Sequence, residues 1–115
     1  MKQLEAFEVK LYVGLREQYT DIFRSINEVR KIIQEHCNVE GDCVTMTLTE
    51  FFYKDGWENG VIIGWINYPR FPREKETMIV IAKKVGEKLM KELKQNRVTI
   101  TTPTNSIMLE NENLK

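Results

Sequence analysis

The stretch Cys43–Tyr68, CVTMTLTEFFYKDGWENGVIIGWINY, decides the fold. In its first half Val44, Met46 and Leu48 alternate with Thr45, Thr47 and Thr49, the period of a strand whose two faces meet different surroundings. β-Branched threonines suit such a pleated surface. The glycines and charges of Lys54–Gly60, KDGWENG, then predict a hairpin connection longer than a two-residue turn. Val61–Tyr68, VIIGWINY, is the returning strand. Its apolar run hardly alternates, so both of its faces are expected to be covered.

A helix flanks this hairpin on either side. Upstream, Ser25-Ile26-Asn27-Glu28 fits a capping box, and Ile26, Val29, Ile32, Ile33 and Cys37 follow at helical spacing. That helix is expected to stop near Asn38, with Gly41 in the loop beyond. Downstream, Pro69-Arg70-Phe71-Pro72 ends the strand, and Pro72 suits the first turn of a helix. Met78, Ala82, Val85, Leu89 and Leu93 form its apolar stripe, and Asn96 is the expected left-handed residue past its end. Outermost lie two more strands. Phe7–Leu15, FEVKLYVGL, alternates strictly, and Val98–Thr102, VTITT, stops at Pro103. Ile107–Leu109 is expected as a short fifth strand at an edge. Residues 1–110 read as one α+β domain, and the polar residues 111–115 as a frayed tail.

The order β-α-β-β-α-β resembles the ferredoxin-like superfold, which includes PII-like signalling trimers and other small oligomers built face to face on their sheets. The resemblance implies an antiparallel sheet with both helices on one face. Val9, Leu11, Val13, Val44, Met46, Leu48, Val98 and Ile100 would then face the helices. Lys10, Tyr12, Thr45, Thr47, Thr49, Phe51, Tyr53, Thr99 and Thr101 would face outward. Aromatics on that outer face ask for a cover, and a second copy of the chain is the expected one, in a dimer or trimer.

The 115 residues carry 17 Lys plus Arg against 17 Asp plus Glu, so no global field draws in nucleic acid. Tyr12, Phe51 and Tyr53 imitate a base-stacking platform, but the basic RNA-binding motif of this superfold is missing, and nucleic acid is not favoured. No apolar run approaches the roughly 20 residues of a membrane span. The opening MKQLEAFEVK lacks the apolar core of a signal peptide. Cys37 and Cys43 accordingly read as free thiols of a cytoplasmic protein. The Lys-, Glu-, Asn- and Ile-rich wording suggests an AT-rich genome, that of a Gram-positive bacterium or its phage.

No phosphate loop, dinucleotide fingerprint, Cys-x-x-Cys pair or nucleophile elbow occurs. His36, beside Cys37 and near Cys43, lacks the further ligand a zinc site needs and reads as a helix C-terminal histidine. No catalytic residue, metal or cofactor is therefore assigned, and a non-enzymatic role is preferred. The ligand-binding candidates are Tyr68, Arg70, Phe71 and Arg73, which gather guanidinium groups and rings at a strand-to-helix junction, with Arg16 as a further anion contact. Against this stands a plainer reading, a rigid turn whose arginines pair with Glu74 or Glu76. Tyr12, Phe51, Tyr53, Trp57 and Trp65 are the candidate contact residues, Trp57 on an exposed loop. Together these features suggest a small homo-oligomeric binding protein that holds a small anionic ligand, such as a nucleotide, at a subunit interface. Sequestration of a signalling nucleotide by a phage or mobile element would be one such role. The alternative is a protein-interaction module built on the aromatic sheet face and the Trp57 loop.

Overall fold

A computed structural model describes residues 1–18 and 20–114. Strand β1 is Glu8–Gly14, helix α1 Ile26–Glu40, β2 Thr45–Tyr53, β3 Gly56–Ile66, α2 Lys75–Glu92, β4 Arg97–Thr101 and β5 Ser106–Glu110, with a short 3₁₀ turn at Glu112–Leu114. The five strands form one antiparallel sheet in the order β2-β3-β1-β4-β5. Val9, Leu11 and Val13 of β1, Val61, Ile63 and Trp65 of β3, and Val98 and Ile100 of β4 join Val29 and Ile33 of α1 and Met78, Ala82 and Leu89 of α2 in one buried cluster. Both helices therefore cover the same face of the sheet. Among the described residues the chain is an α+β domain of two helices and an antiparallel sheet, and no helix there is long and apolar enough to cross a membrane.

The local signals work as the chemistry requires. Ser25 accepts from the Asn27 amide while Glu28 reaches back to the Ser25 amide, closing the capping box. α1 runs two residues past Asn38 and ends where Gly41 takes the left-handed conformation (φ 67°), which a glycine adopts without steric cost. After α2 the left-handed residue is Lys94, not Asn96. Pro72 stands outside α2, whose N-cap is Glu74. The fifth strand pairs Ile107 with Ile100 and Leu109 with Val98, which places its apolar side chains against the core.

Two expectations are corrected by the hairpin. Tyr53 pairs with Gly56, so only Lys54 and Asp55 make the turn, and Asp55 tolerates the positive φ of 57°. Trp57 and Glu58 are thus strand residues and not loop residues. The hairpin also overhangs the helices. Leu48 points to the helix side with Met46 but finds no helix above it and stays 59% exposed, as does Phe52 at 76%. The domain is accordingly elongated, 49 × 29 × 25 Å. Asn111, assigned to the tail, is buried, and its amide donates to the main-chain oxygens of Gln95 and Met90.

Candidate functional site

The register of β1 against β3 separates two ends of the sheet: Glu8 pairs with Ile66 at one, Gly14 with Gly60 at the other. Six residue steps of roughly 3.3 Å put about 20 Å between them. Tyr68, Arg70, Phe71 and Arg73 lie beyond the first end, and Arg16 lies beyond the second. The five expected ligand-binding residues therefore do not converge.

At the first end the chain turns tightly, with Tyr68 and Phe71 bridged and the Phe71 amide donating to the Tyr68 carbonyl. Arg70 leans over the Phe71 ring, its guanidinium carbon 5.3 Å from the centroid, and Phe71 is exposed. Arg73 turns inward to Asp42, Nη1 to Oδ1 at 2.6 Å, rather than to Glu74 or Glu76. Asp42 also accepts from Trp65 Nε1 at 2.9 Å and the Cys43 amide at 2.8 Å, and lies 2.8 Å from His36 Nε2. Its side chain is only 3% exposed. Burial alone would raise this carboxyl, but the bonds from His36, Trp65 and Cys43 and the Arg73 charge outweigh it and hold the acid below the ordinary carboxylate value. Burial likewise pushes the Tyr68 hydroxyl up, with the Cys43 thiol beside it. A hollow of about 320 Å³ lies against Asp42, Tyr68, Phe71 and Arg73. Of the two expected anion contacts at this corner, Arg73 is answered by the protein's own carboxylate, while Arg70 forms no ion pair among the described residues.

The second end is different. On the outer face, away from the helices, a cleft of about 160 Å³ opens between Tyr12, Phe51, Glu58, Gln95 and Arg97, with Gly14 as its floor. Tyr12 and Phe51 are half-buried. Gly60 is bare because Phe51 lies over it: a Cβ there would collide with the Phe51 ring and sit 2.5 Å from the Val13 carbonyl oxygen. A Cβ on Gly14 would meet Glu58 Oε2 at 2.6 Å and Gln95 Oε1 at 3.1 Å. Two acceptor oxygens therefore lean over one bare backbone position. Glu58 Oε2 is fixed by the Arg16 amide at 3.0 Å, and among the described residues Glu58 forms no ion pair. Gln95 is 6% exposed and donates both amide hydrogens, to the main-chain oxygens of Arg16 and Leu93. Arg16 thus serves this end through its main chain, while its guanidinium stacks on Phe23, 5.1 Å from the ring centroid.

The contact residues divide between faces. Tyr12, Phe51 and Tyr53 lie on the outer face. Trp57 lies on the helix side, with Nε1 donating to Glu50 at 2.8 Å and its ring 6.0 Å from Phe23. Trp65 cannot contact a partner, because its register opposite Val9 turns the indole into the core, where it is fully buried. Exposed Phe52, Trp57, Leu48, Phe23 and Ile22 instead make an apolar strip along the overhanging hairpin. Asp42, Gly14, Glu58 and Gln95 were not singled out in sequence. The one signal for the cleft was the phase of Gly56, Gly60 and Gly64, which repeat every fourth residue and so leave alternate positions on one face of β3 bare, between Glu58 and Ile62.

No protein-family model matches the chain, and no curated protein matches it by sequence. Among solved structures, a phage SAM lyase in its apo state matches with a TM-score of 0.78 over 97% of this chain and 96% of that chain, at 20% identity. A phage SAM lyase in complex with S-methyl-5'-thioadenosine matches with a TM-score of 0.78 over 97% of this chain and 95% of that one, at 18% identity. Likeness at this level of identity establishes the shared fold.

Proposed function

We propose that this chain is a small adenosine-thioether-binding protein whose activity is the cleavage of S-adenosylmethionine by a lyase reaction. The observation that carries the reading is the outer-face cleft, an aromatic-walled hollow with a lone carboxylate. It occurs in a chain that matches, nearly end to end, the fold of a phage SAM lyase in complex with S-methyl-5'-thioadenosine. The strand order reads as a ferredoxin-like core, β4-β1-β3-β2, with β5 added at the edge.

The chemistry suits a site without an acid–base pair. The bond that breaks joins the sulfonium sulfur to the γ-carbon of the amino-acid chain, and its electron pair returns to sulfur, releasing neutral S-methyl-5'-thioadenosine. The substrate's own carboxylate oxygen closes on that carbon and gives a cyclic ester, so no water or outside base is consumed. A cation and an anion annul each other in the transition state. A cleft poorer in water than bulk solvent therefore favours the transition state over the charged substrate. Tyr12 and Phe51 supply faces for the adenine ring. This replaces the non-enzymatic, anion-holding role expected from the arginines.

The same reading makes the protein a homo-oligomer, with the hairpin strip of Phe52, Trp57 and Leu48 against a second copy and the cleft at a subunit boundary. A phage or mobile-element source accords with the phage origin of both structural neighbours, and the free thiols Cys37 and Cys43 accord with a cytoplasmic one. The second reading, a module for a different protein, rests on that exposed strip alone.

The test is to incubate the protein with S-adenosylmethionine and separate the products by chromatography. S-methyl-5'-thioadenosine should appear with an equal amount of the cyclic ester, and Phe51→Ala should weaken thioether binding by at least about fivefold, since a stacked base contributes about 1–3 kcal/mol. No turnover and no thermal stabilisation by either nucleoside would refute the proposal. Light scattering giving a mass of 13.6 kDa at high micromolar concentration would refute the oligomer.

A further inference from the structure

The cleft carries donors on Arg97 and Tyr12, but the polar groups that converge on Gly14 are of one kind. Over the bare Cα of Gly14 stand Glu58 Oε2 and Gln95 Oε1, both acceptors. Gln95 cannot offer a donor there, because both hydrogens of its amide are held by the Arg16 and Leu93 carbonyls. Those bonds also fix which way the amide points, leaving its oxygen toward Gly14. The side chain is more than nine-tenths buried, and among the described residues no protein donor reaches that oxygen. The main-chain oxygen of the same residue is tied down by Asn111 Nδ2 at 3.1 Å, so the segment is braced from behind. Glu58 Oε2 takes one hydrogen bond, from the Arg16 amide, and has lone-pair capacity left.

We infer that this acceptor pair reads the vicinal hydroxyls of a ribose. The inference rests on the reading of the cleft as an adenosine-thioether site and names the group within it that confers specificity. A vicinal diol offers two O–H donors on neighbouring carbons, the complement of two converging acceptors. A carboxylate on a ribose hydroxyl is the same chemistry by which acidic residues read the 2'-hydroxyl in dinucleotide sites. Gly14 is bare because a Cβ there would strike Glu58 Oε2 and crowd Gln95 Oε1, displacing the acceptors that the hydroxyls would meet. Acceptors that a bound ligand covers and leaves without donors penalise that ligand, so discrimination against a deoxynucleoside should be steep. It also inverts the expectation from the arginine-rich corner: the recognised group donates hydrogen bonds, and the ligand need not be an anion.

Calorimetry on the full chain tests this with S-methyl-5'-thioadenosine and its 2'-deoxy and 3'-deoxy forms, on wild type, Glu58→Gln and Gly14→Ala. Wild type should bind the parent nucleoside at least tenfold more tightly than either deoxy form. Glu58→Gln should narrow that gap to within about threefold. Gly14→Ala, which pushes the Glu58 carboxylate off its position over the backbone, should weaken the parent at least tenfold while leaving the melting temperature within a few degrees of wild type. Parent and deoxy forms bound equally by wild type would overturn the inference while leaving the thioether site standing. An undiminished gap in Glu58→Gln would do the same. So would an advantage for S-adenosylmethionine that vanishes in Glu58→Gln with no preference for the diol, which would make the carboxylate a partner for the substrate's cationic groups. No binding of any adenosine thioether by folded wild type would overturn the site and this inference together.

Discussion

The two ends of the sheet hold similar materials and settle them in opposite ways. At the Asp42 end an acid, an arginine, a histidine and an indole N–H are gathered within hydrogen-bond reach, and the carboxylate is fully engaged, although Arg73 Nε is left without a partner. At the Gly14 end two acceptors stand over a bare backbone position; among the described residues Gln95 Oε1 takes no protein donor and Glu58 Oε2 takes one, while Arg97 and Tyr12 line the same cleft. The richer collection of charged and aromatic residues therefore commits Arg73, His36 and Trp65 to the fold through Asp42. The poorer collection, one carboxylate and one amide over a glycine, keeps binding capacity in reserve. Abundance of ligand-type residues does not mark a site; an unmatched polar inventory does.

The largest effect should come from the matched end. Asp42→Ala removes the acceptor of three side chains and leaves the Arg73 guanidinium, whose side chain is 18% exposed, without its counter-ion. Breaking a buried pair in this way costs about 3–5 kcal/mol, a large share of the roughly 5–15 kcal/mol of a domain this size. Urea denaturation should show the loss, and a loss under 1 kcal/mol would mean that the corner is not what holds α1, β3 and the entry to α2 together.

Acid should reach the same node more gently. Because the folded carboxyl of Asp42 lies below its ordinary value, its contribution is present in full above the usual carboxylate range. It is lost as pH falls through that range toward the folded value. The stability difference between wild type and Asp42→Asn should hence be flat above about pH 5 and shrink below about pH 4. A difference that stays constant to pH 3 would separate the node from acid sensitivity.

Much of the fold was legible because its signals are local. The Ser25–Glu28 box, the alternation of Phe7–Leu15 and the stripe from Met78 to Leu93 each need only neighbours in the chain. Failures came where distance along the chain decided the outcome. Trp65 was assigned to a contact face because VIIGWINY does not alternate, and only its pairing with Val9 fixes the indole inside. Leu48 has the right phase for the core, but how far a hairpin outruns its helices is not written in its own sequence. Arg73 finds its acid 31 residues away at Asp42, and Gln95 meets the Arg16 carbonyl 79 residues away. Polar balance at that range is invisible to periodicity, and both ends of the sheet depend on it.

Two glycines that face each other across β1 and β3 sharpen the contrast further. At Gly60 an added methyl meets the Val13 carbonyl, which belongs to a sheet and cannot step aside, and the Phe51 ring. Gly60→Ala should cost about 1–3 kcal/mol, as overpacking does. At Gly14 the atoms in the way are the ends of the Glu58 and Gln95 side chains. Glu58 can swing aside, and β-strands accept alanine at least as well as glycine. Gly14→Ala should therefore change stability by less than about 1 kcal/mol, the smallest effect in the series, whatever it does to a ligand. The two variants differ by position within one backbone pair and by nothing else chemically. If Gly14→Ala proved the more destabilising by chemical denaturation, the cleft floor would have to be part of the fold's own scaffold, and the assignment of unspent capacity to this end of the sheet would fail.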